Sequence, residues 1–435
     1  MGLFYRMKTN DLYELFLNGA TICTDSRTLK AGELFFALRG EQYNGNRFAE
    51  DALKAGAAAV VCDDPQLAPA SHPDCFLTGD SLMTLQALAI RYRSELSVPI
   101  LAITGSNGKT TTKELIDRVL KTTFQVFATH GNLNNHIGVP LSILSIPRNS
   151  EIAVIEMGAN HSGEIARLCE IARPDYGLIT NIGKAHLEGF GGYAGVIRAK
   201  TELYTFLREN GGRVFVNAAD PLLMRLSEGM HRILYGNDQT PSASVIAEQA
   251  LLKLRWEKAP DPGTETATQM SGDYNLANVL AAAAAGLQFK VPWAKIVQAI
   301  SSYQPANHRS QVIHTQSNTL LMDAYNANPS SMLLALENFS RWEGKEKWAI
   351  LGDMLELGEE SEAEHQAIVH YLAEAGFPNL VFIGPWFQGC AGKGSQAFAD
   401  TESCIQWLKD HPISNADVLL KGSRGIGLEK LLPYL

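Results

Sequence analysis

Residues 99–114 read Pro-Ile-Leu-Ala-Ile-Thr-Gly-Ser-Asn-Gly-Lys-Thr-Thr-Thr-Lys-Glu. An apolar run, Ile100 to Ile103, leads into a glycine turn, and Lys109 with three threonines opens a helical pattern. Strand, glycine-rich loop, Lys-Thr and helix, in that order, make a phosphate-binding loop. Gly105 and Gly108 let backbone N–H groups curl around phosphate oxygens with no Cβ in the way, and the helix start adds the positive end of its dipole. Lys109 can reach β- and γ-phosphates, and the Thr110 hydroxyl can hold Mg²⁺. The spacing Gly-x-x-Gly-Lys-Thr is two residues shorter than the usual Gly-x-x-x-x-Gly-Lys-Thr, so the flanking strand and helix patterns carry the reading.

Downstream, strand-like runs at 152–156, 177–181 and 213–217 alternate with helical patterns at 162–170 and 193–207. That alternation predicts a parallel sheet with helices on both faces and ligands at the carboxyl ends of its strands. Those ends are polar: Gly105 to Thr110, Glu156-Met-Gly-Ala-Asn160, and Thr180-Asn181 leading to His186. An alanine-rich helix at 278–286 follows Gly272-Asp-Tyr-Asn275. From about 310 onward, strands are predicted at 320–323, 348–351, 380–383 and 418–420, again with polar ends, notably Asp323-Ala-Tyr-Asn-Ala-Asn328 and Lys421-Gly-Ser-Arg424. This block is Rossmann-like but lacks Gly-x-Gly-x-x-Gly, which disfavours a nicotinamide site. Upstream, a small α/β block is expected from helical patterns at 9–18 and 47–55 and a buried strand at 58–61. The expected fold is α/β with three domains: a central P-loop parallel-sheet ATPase domain (98–309), a small α/β N-terminal domain (1–97) and a Rossmann-like C-terminal domain (310–435).

Bulk properties narrow the function. The 435 residues are 46% hydrophobic and 19% charged, ordinary for a globular protein. The formal net charge is −9 and no basic patch stands out, which argues against nucleic acid as a partner. No apolar run approaches the roughly 18 residues of a membrane span. Asp11 and Glu14 interrupt the only signal-like stretch, so a cytoplasmic location is expected. The six cysteines form no Cys-x-x-Cys pair and read as reduced thiols, not as a metal site or a disulfide framework.

Two residues extend the phosphate-loop chemistry. Glu156 directly follows an apolar strand, where a carboxylate can meet a metal held on nucleotide phosphates. His186, past the next strand, can serve Mg²⁺ or polarise a reacting oxygen. Either alone is more readily read as a cap or a solvated group. Together, at two strand ends beside a phosphate loop, they favour function.

At this point a resemblance becomes specific. Thr104-Gly-Ser-Asn-Gly-Lys-Thr-Thr111, Glu156-Met-Gly-Ala-Asn160, Thr180-Asn-Ile-Gly-Lys-Ala-His186, Asn275-x-x-Asn278, Arg309 and Asp323 occur in the order seen in the Mur ligases. The chain resembles that family over essentially its whole length. The resemblance implies an ATP-dependent amide-bond-forming enzyme of peptidoglycan precursor synthesis, with one domain each for a UDP-linked substrate, ATP and an amine. Asp25-Ser-Arg27, Asp323 to Met332, and Gly352-Asp-Met-Leu-Glu-Leu-Gly358 look most like the members that join D-alanyl-D-alanine to UDP-N-acetylmuramoyl-tripeptide. Members adding the third stem residue usually carry an Asp-Tyr-Ala-His type of turn in place of Tyr325-Asn-Ala-Asn328. One departure is His308, where that subgroup often has glycine before Arg309.

Roles follow as the resemblance implies. Gly105, Ser106, Asn107, Gly108, Lys109, Thr110 and Thr111 would bind ATP phosphates with Mg²⁺. Glu156 and His186 would hold a second Mg²⁺. Lys200, 14 residues after His186, corresponds to the lysine carbamylated in the family, whereas its pattern alone reads as a solvated lysine on a helix. Asn275 and Asn278 would line the adenine side, with Arg309 and Asp323 adding nucleotide contacts from the domain junction and third domain. Ser26 and Arg27 would meet the UDP moiety. Asn134 and Asn135 would line the diphosphate or sugar path, or else form a hydrogen-bonded turn. Asn326, Asn328 and the Lys421–Arg424 turn are candidates for the dipeptide. A monomer is expected. The rival readings are a neighbouring Mur step, a folylpolyglutamate-synthetase-like ligase, and a P-loop phosphotransferase with no amide product.

Overall fold

Short apolar runs fix the first sheet. Ile22–Cys23 (β1), Leu34–Phe36 (β2), Ala59–Cys62 (β3) and Cys75–Leu77 (β4) pair in parallel in that order. β2 and β3 are buried at every position, as parallel strands covered on both faces must be. The computed structural model describes residues 9–40, 43–69, 72–184, 187–248, 250–305, 308–392 and 394–435. Helix Ser81–Glu95, started by the Asp80 carboxylate on the Met83 N–H (2.8 Å), packs this sheet onto the next one. Its Tyr92 hydroxyl donates to the Ile146 carbonyl (2.7 Å), and Arg93 donates to the carbonyls of Leu96, Ala172 and Arg173. One apolar core therefore runs from Leu34 and Phe36 through Leu85 to Ile100 and Ile155.

Ile100–Thr104 (β5), Val126–Ala128 (β6), Ile152–Glu156 (β7), Tyr176–Ile179 (β8), Arg213–Asn217 (β9) and His231–Tyr235 (β10) form an all-parallel sheet, ordered β10-β9-β8-β5-β7-β6. After β7 the chain crosses to the other side of β5, so a crevice opens beyond the carboxyl ends of β5, β7 and β8. The alanine-rich helix Asn275–Gln288 lies against helix Lys109–Lys121, and small side chains permit the approach: a Cβ on Gly286 would stand 2.7 Å from Val119 Cγ1.

Ser242–Glu248 (β11), Leu252–Lys258 (β12) and Glu265–Ala267 (β13) make a small antiparallel sheet that strand-helix alternation does not foresee. Its signal is period-two: Leu252, Leu254 and Trp256 are buried, and Trp256 packs edge-on against Trp293 at 4.8 Å.

The third sheet comprises Gln311–His314 (β14), Thr319–Asp323 (β15), Glu346–Gly352 (β16), Asn379–Ile383 (β17), Gln396–Phe398 (β18) and Ala416–Lys421 (β19), ordered β14-β15-β19-β16-β17-β18. It is parallel apart from β14, which pairs antiparallel with β15. The expected α/β class with a Rossmann-like third sheet holds.

Three of the element boundaries that differ from expectation have a local reason. β8 stops at Ile179, short of the expected Asn181, because Thr180 and Asn181 turn to hydrogen-bond the phosphate loop. The helix expected at 162–170 runs Glu164–Ala172, bracketed by left-handed Gly163 and Arg173. The helix expected at 47–55 divides into a 3-10 turn, Gly45–Phe48, and an α-helix, Ala49–Lys54. No helix among the described residues is long and apolar enough to cross a membrane.

Candidate active site

Beyond β5 the chain passes through Gly105 (φ +142°) and Gly108 (φ +77°). A Cβ at 105 would sit 2.0 Å from Thr180 Oγ1, and one at 108 would sit 2.7 Å from Asn278 Oδ1, so both positions require glycine. The neighbouring turn braces the loop. Thr180 Oγ1 donates to the Asn107 carbonyl (2.6 Å), and the Asn181 side chain accepts the Asn107 N–H while donating to its carbonyl, both at 3.0 Å. Helix Lys109–Lys121 begins with no side-chain cap, which leaves its first N–H groups to a ligand. Lys109 Nζ meanwhile donates to the Gly105 (2.7 Å) and Ser106 (3.1 Å) carbonyls of its own loop. Burial pulls the Lys109 ammonium below the usual lysine range, Glu156 opposes the shift and Arg309 adds to it. A polyanion in the loop would favour its charged form.

Glu156, 1% exposed at the end of β7, faces the first turn of that helix. Its Oε1 accepts from Thr110 Oγ1 (3.1 Å) and Asn134 Nδ2 (2.8 Å). Its Oε2 is buried with no hydrogen-bond partner, 3.8 Å from Lys113 Nζ. An orphaned carboxylate oxygen beside a threonine hydroxyl is a hard-oxygen donor set of the kind Mg²⁺ takes. His186, the other expected ligand, lies outside the described residues. Lys113 was not anticipated; it sits one helical turn past Lys109, and it neutralises the buried acid while donating to the Thr129 carbonyl (2.8 Å).

Lys200 corrects the pattern-based reading of a solvated side chain, because it is 2% exposed on helix Tyr193–Glu209. Its Nζ lies 3.4 Å from the Ala159 carbonyl and 5.2 Å from the Phe190 ring centre. Burial first, then the Lys109 charge, pull its pKa down to about 7. Lys200 stands one residue back from the cleft, behind Ala159.

A cleft of about 470 Å³ lies between the carboxyl ends of the central and third sheets. Ser106 to Thr111, Asn134, Asn135, Glu156, Asn275, Asn278, Arg309, Asp323, Asn326 and Asn328 all line it. Asn278 joins Thr112 Oγ1 (2.9 Å) to Asn275 Oδ1 (2.8 Å), and Asn275 donates onward to the Ser271 carbonyl. Arg309 stacks its guanidinium 3.6 Å from the Tyr325 ring centre and keeps a buried, unpartnered Nε. Asp323 accepts the Ser310 N–H and the Lys421 ammonium. Asn328 caps helix Pro329–Ser340 and also donates to Asn107 Oδ1 (2.8 Å), tying third sheet to phosphate loop. Asn135 makes the turn that was the alternative for it, accepting the Ile137 and Gly138 N–H groups. Ser26 and Arg27 lie apart from this cleft, with Arg27 exposed and paired to Asp25 at 2.7 Å.

Comparison with known proteins follows the same division. Residues 20–85 match the Mur ligase family catalytic domain, 103–286 the Mur ligase middle domain, and 308–424 the Mur ligase glutamate ligase domain. The chain is 34% identical over 431 residues to the UDP-N-acetylmuramoyl-tripeptide–D-alanyl-D-alanine ligase of Bacillus subtilis (strain 168), covering 95% of this chain and 92% of that one. Identity to the ligase of the same name from Escherichia coli (strain K12) is 32% over 433 residues, with 95% and 93% covered. A crystal structure of MurF from Acinetobacter baumannii matches with a TM-score of 0.85 at 29% identity, covering 95% and 92%. The MurF ligase of Thermotoga maritima in complex with ADP matches with a TM-score of 0.85 at 28% identity, covering 97% of each chain.

Proposed function

The chain belongs to the Mur ligase family and is an ATP-dependent amide-bond-forming ligase, and we propose that it joins D-alanyl-D-alanine to UDP-N-acetylmuramoyl-tripeptide through an acyl phosphate. The observation that carries this reading is one cleft holding an uncapped phosphate loop, a buried acid with an orphaned oxygen, and a polar third-domain wall. In the first step the tripeptide's terminal carboxylate attacks the γ-phosphorus in line; an O–P bond forms, the β,γ bridge breaks and ADP leaves. The loop N–H groups cradle the phosphates. Lys109 exchanges its two carbonyl acceptors for phosphate oxygens, and its charge offsets what spreads over the transferring group. Thr110 and Glu156 would hold Mg²⁺, with His186 and a carbamylated Lys200 as the family resemblance implies, and the ion would supply further charge neutralisation on the phosphates. A lysine amine with a pKa of about 7 is about half unprotonated in neutral solution, and the unprotonated form can capture CO₂ and release a proton.

In the second step the dipeptide amine attacks the acyl carbon; the C–N bond forms, the C–O bond to phosphate breaks, and phosphate and a proton depart. We assign Asn275, Asn278, Arg309 and Asp323 to the nucleoside side, Asn134 and Asn135 to the sugar-diphosphate path, and Ser26 and Arg27 to UDP. Asn326, Asn328 and the Lys421–Arg424 turn go to the dipeptide. The corresponding domains are 1–97 for the UDP substrate, 98–309 for ATP and 310–435 for the amine. We take a monomer as the working unit. For a reaction on nucleotide-linked substrates, we propose the cytoplasm as its location.

Phosphate release in the presence of ATP and UDP-N-acetylmuramoyl-tripeptide is the test. D-alanyl-D-alanine is expected to stimulate it, with L-alanine, glutamate and diamino acids inactive, and hydroxylamine is expected to trap a hydroxamate. Release indifferent to the amine, or stimulation without a joined product, refutes the proposal.

A further inference from the structure

β15, β19, β16 and β17 are successive neighbours in the third sheet, and the loops at their carboxyl ends are tied to one another. Asn326 and Asn328, after β15, and Lys421, at the end of β19, line the cleft. Ser423, buried just past β19, serves three of these loops. Its N–H donates to the Asp353 carbonyl (3.1 Å), and its Oγ accepts the Leu355 N–H (2.9 Å) and lies 3.5 Å from the Ala327 carbonyl. Asp353, fully buried after β16, reaches the fourth loop, where its carboxylate accepts the N–H groups of Trp386 (3.0 Å) and Phe387 (2.9 Å). The loops approach closely enough to require glycine at 384, where φ is +119° and a Cβ would stand 2.3 Å from Asp353 Cγ.

Between Asp353 and Leu355, the Met354 N–H is bound by a residue that the mechanism does not use. It donates to Nε2 of His365 (3.0 Å), on helix Ser361–Glu374. The imidazole is fully buried, and the Phe387 ring packs edge-on against it at 4.5 Å. Nδ1 lies 2.6 Å from the Ser361 carbonyl, which can only accept, so Nδ1 carries the proton and Nε2 the lone pair. Burial favours the neutral ring, against the pull of the Ser361 carbonyl and the Asp353 charge. Asp353 Oδ1, 3.6 Å from Nε2, is therefore a neighbour and not an ion-pair partner. An apolar side chain could fill the same space, but only an acceptor at the Nε2 position satisfies the Met354 N–H.

We infer that His365 is a positioning residue for the dipeptide: through the Met354 N–H it sets the turn at 353–355, and through Ser423 that turn sets how Asn328 and the Lys421–Arg424 turn meet the incoming amine. The inference rests on the ligase reading above. An amine attacking an acyl phosphate must be held in line with the acyl carbon, and groups on separate loops can hold it only if those loops keep a fixed spacing. The bonds of Asp353, Leu355 and Ser423 supply that spacing within the sheet and its loops. The Met354 N–H is the one donor of this turn whose acceptor lies outside them, on a helix, so it fixes the whole set against the body of the domain.

Kinetics of His365→Gln and His365→Asn in the full chain test it. Glutamine places its side-chain oxygen where Nε2 stands, whereas asparagine reaches only as far as Nδ1 and leaves the Met354 N–H without an acceptor. KM for D-alanyl-D-alanine is expected to be more than about threefold higher in His365→Asn than in His365→Gln, the scale of one lost hydrogen bond, while KM for ATP differs by less than about twofold. Hydroxylamine needs no dipeptide site, so its hydroxamate yield is expected to match the wild type in both variants. A smaller difference in dipeptide KM overturns the inference alone, and so does a KM for ATP that rises in step with it. Where a variant fails to fold, hydrogen exchange of the wild type decides. With UDP-N-acetylmuramoyl-tripeptide and a non-hydrolysable ATP analogue bound, D-alanyl-D-alanine is expected to slow exchange of the 353–355 amides at least about threefold, and unchanged exchange overturns the inference. No hydroxamate from the wild-type enzyme overturns the ligase reading, and the inference with it.

Discussion

Replacing Lys200 by methionine is expected to make the protein more stable while removing its activity. A lysine has an ordinary pKa near 10.5, and burial behind Ala159, with the Lys109 charge adding, lowers that of Lys200 to about 7 in the folded chain. Below pH 7 both folded and unfolded states carry the proton, and the folded state bears the full cost of a buried ammonium. Between about pH 7 and 10.5 the unfolded chain binds a proton that the folded chain lacks, so stability rises with pH. Above 10.5 the penalty is gone. At pH 8 the unfolded chain is 2.5 pH units below its own pKa, which at 1.36 kcal/mol per unit gives a penalty of about 3 kcal/mol. Methionine has a similar length, does not titrate, and gives up only one long hydrogen bond to Ala159, at 3.4 Å. Lys200→Met should therefore exceed the wild type by about 3 kcal/mol in urea unfolding at pH 8, by more at pH 7, and by almost nothing near pH 10.5. Bicarbonate-free buffer keeps the wild-type amine unmodified during the comparison. Ligation by the variant should be lost under all conditions, including added bicarbonate. A variant no more stable than wild type, or a gain that stays constant from pH 7 to 10, would refute the placement of this lysine.

Glu156→Gln keeps the shape of the side chain but strips the counter-charge from Lys113, both being under 5% exposed, so unfolding should report a loss of about 3 kcal/mol. Nucleotide-dependent phosphate release should disappear in the same variant; retention of either property contradicts the role given to this carboxylate. Gly108→Ala must adopt φ +77° at a cost of about 1–2 kcal/mol and push Asn278 Oδ1 from 2.7 Å, so calorimetric ATP-analogue affinity should fall at least about tenfold. Adding Asn278→Ala should restore part of that loss; full additivity would show that the overlap is not its cause.

Local chemistry was legible in the sequence, and long-range pairing was not. The phosphate loop, β7 and β9 were readable because a strand buried on both faces leaves a continuous apolar run, and because glycine spacing is a local property. The β11–β13 sheet escaped notice because four of the seven positions of its central strand β12 are charged and its pairing runs antiparallel between two strand-helix regions. Lys200 shows the limit most clearly. Nothing in its neighbours in sequence marks it as buried, and only the packing of Phe190 and Ala159 around it does so. The bond from Asn328 to Asn107 spans 221 residues, and its value lies in which two sheets it joins. Ser26 and Arg27 were singled out by the resemblance, and the structure pairs Arg27 with Asp25 at the surface.

The turn at 308–310 explains how two sheets come to share one cleft. His308 and Ser310 both have left-handed backbones, φ +57° and +46°, and the described residue between them is Arg309. At His308 the side chain adds strain to a left-handed backbone and leaves its Nδ1 buried without a partner. What fixes the turn is polar. The Tyr274 hydroxyl meets Ser310 Oγ at 2.8 Å, and the Ser310 N–H reaches Asp323 at the end of β15. Tyr274 precedes the helix of Asn275 and Asn278, and Asp323 precedes Tyr325, against which Arg309 stacks. The turn thus couples the start of helix Asn275–Gln288 to the first loop of the third sheet. Lys184 with Glu364 (2.8 Å) and Arg341 with Asp273 (2.8 Å) repeat that coupling at two further points. These exposed pairs contribute little energy singly, since water screens them. The cleft geometry must then depend more on the turn, on the Asn107–Asn328 bond and on the buried bond from Asn338 Nδ2 to Ser271 Oγ (3.0 Å).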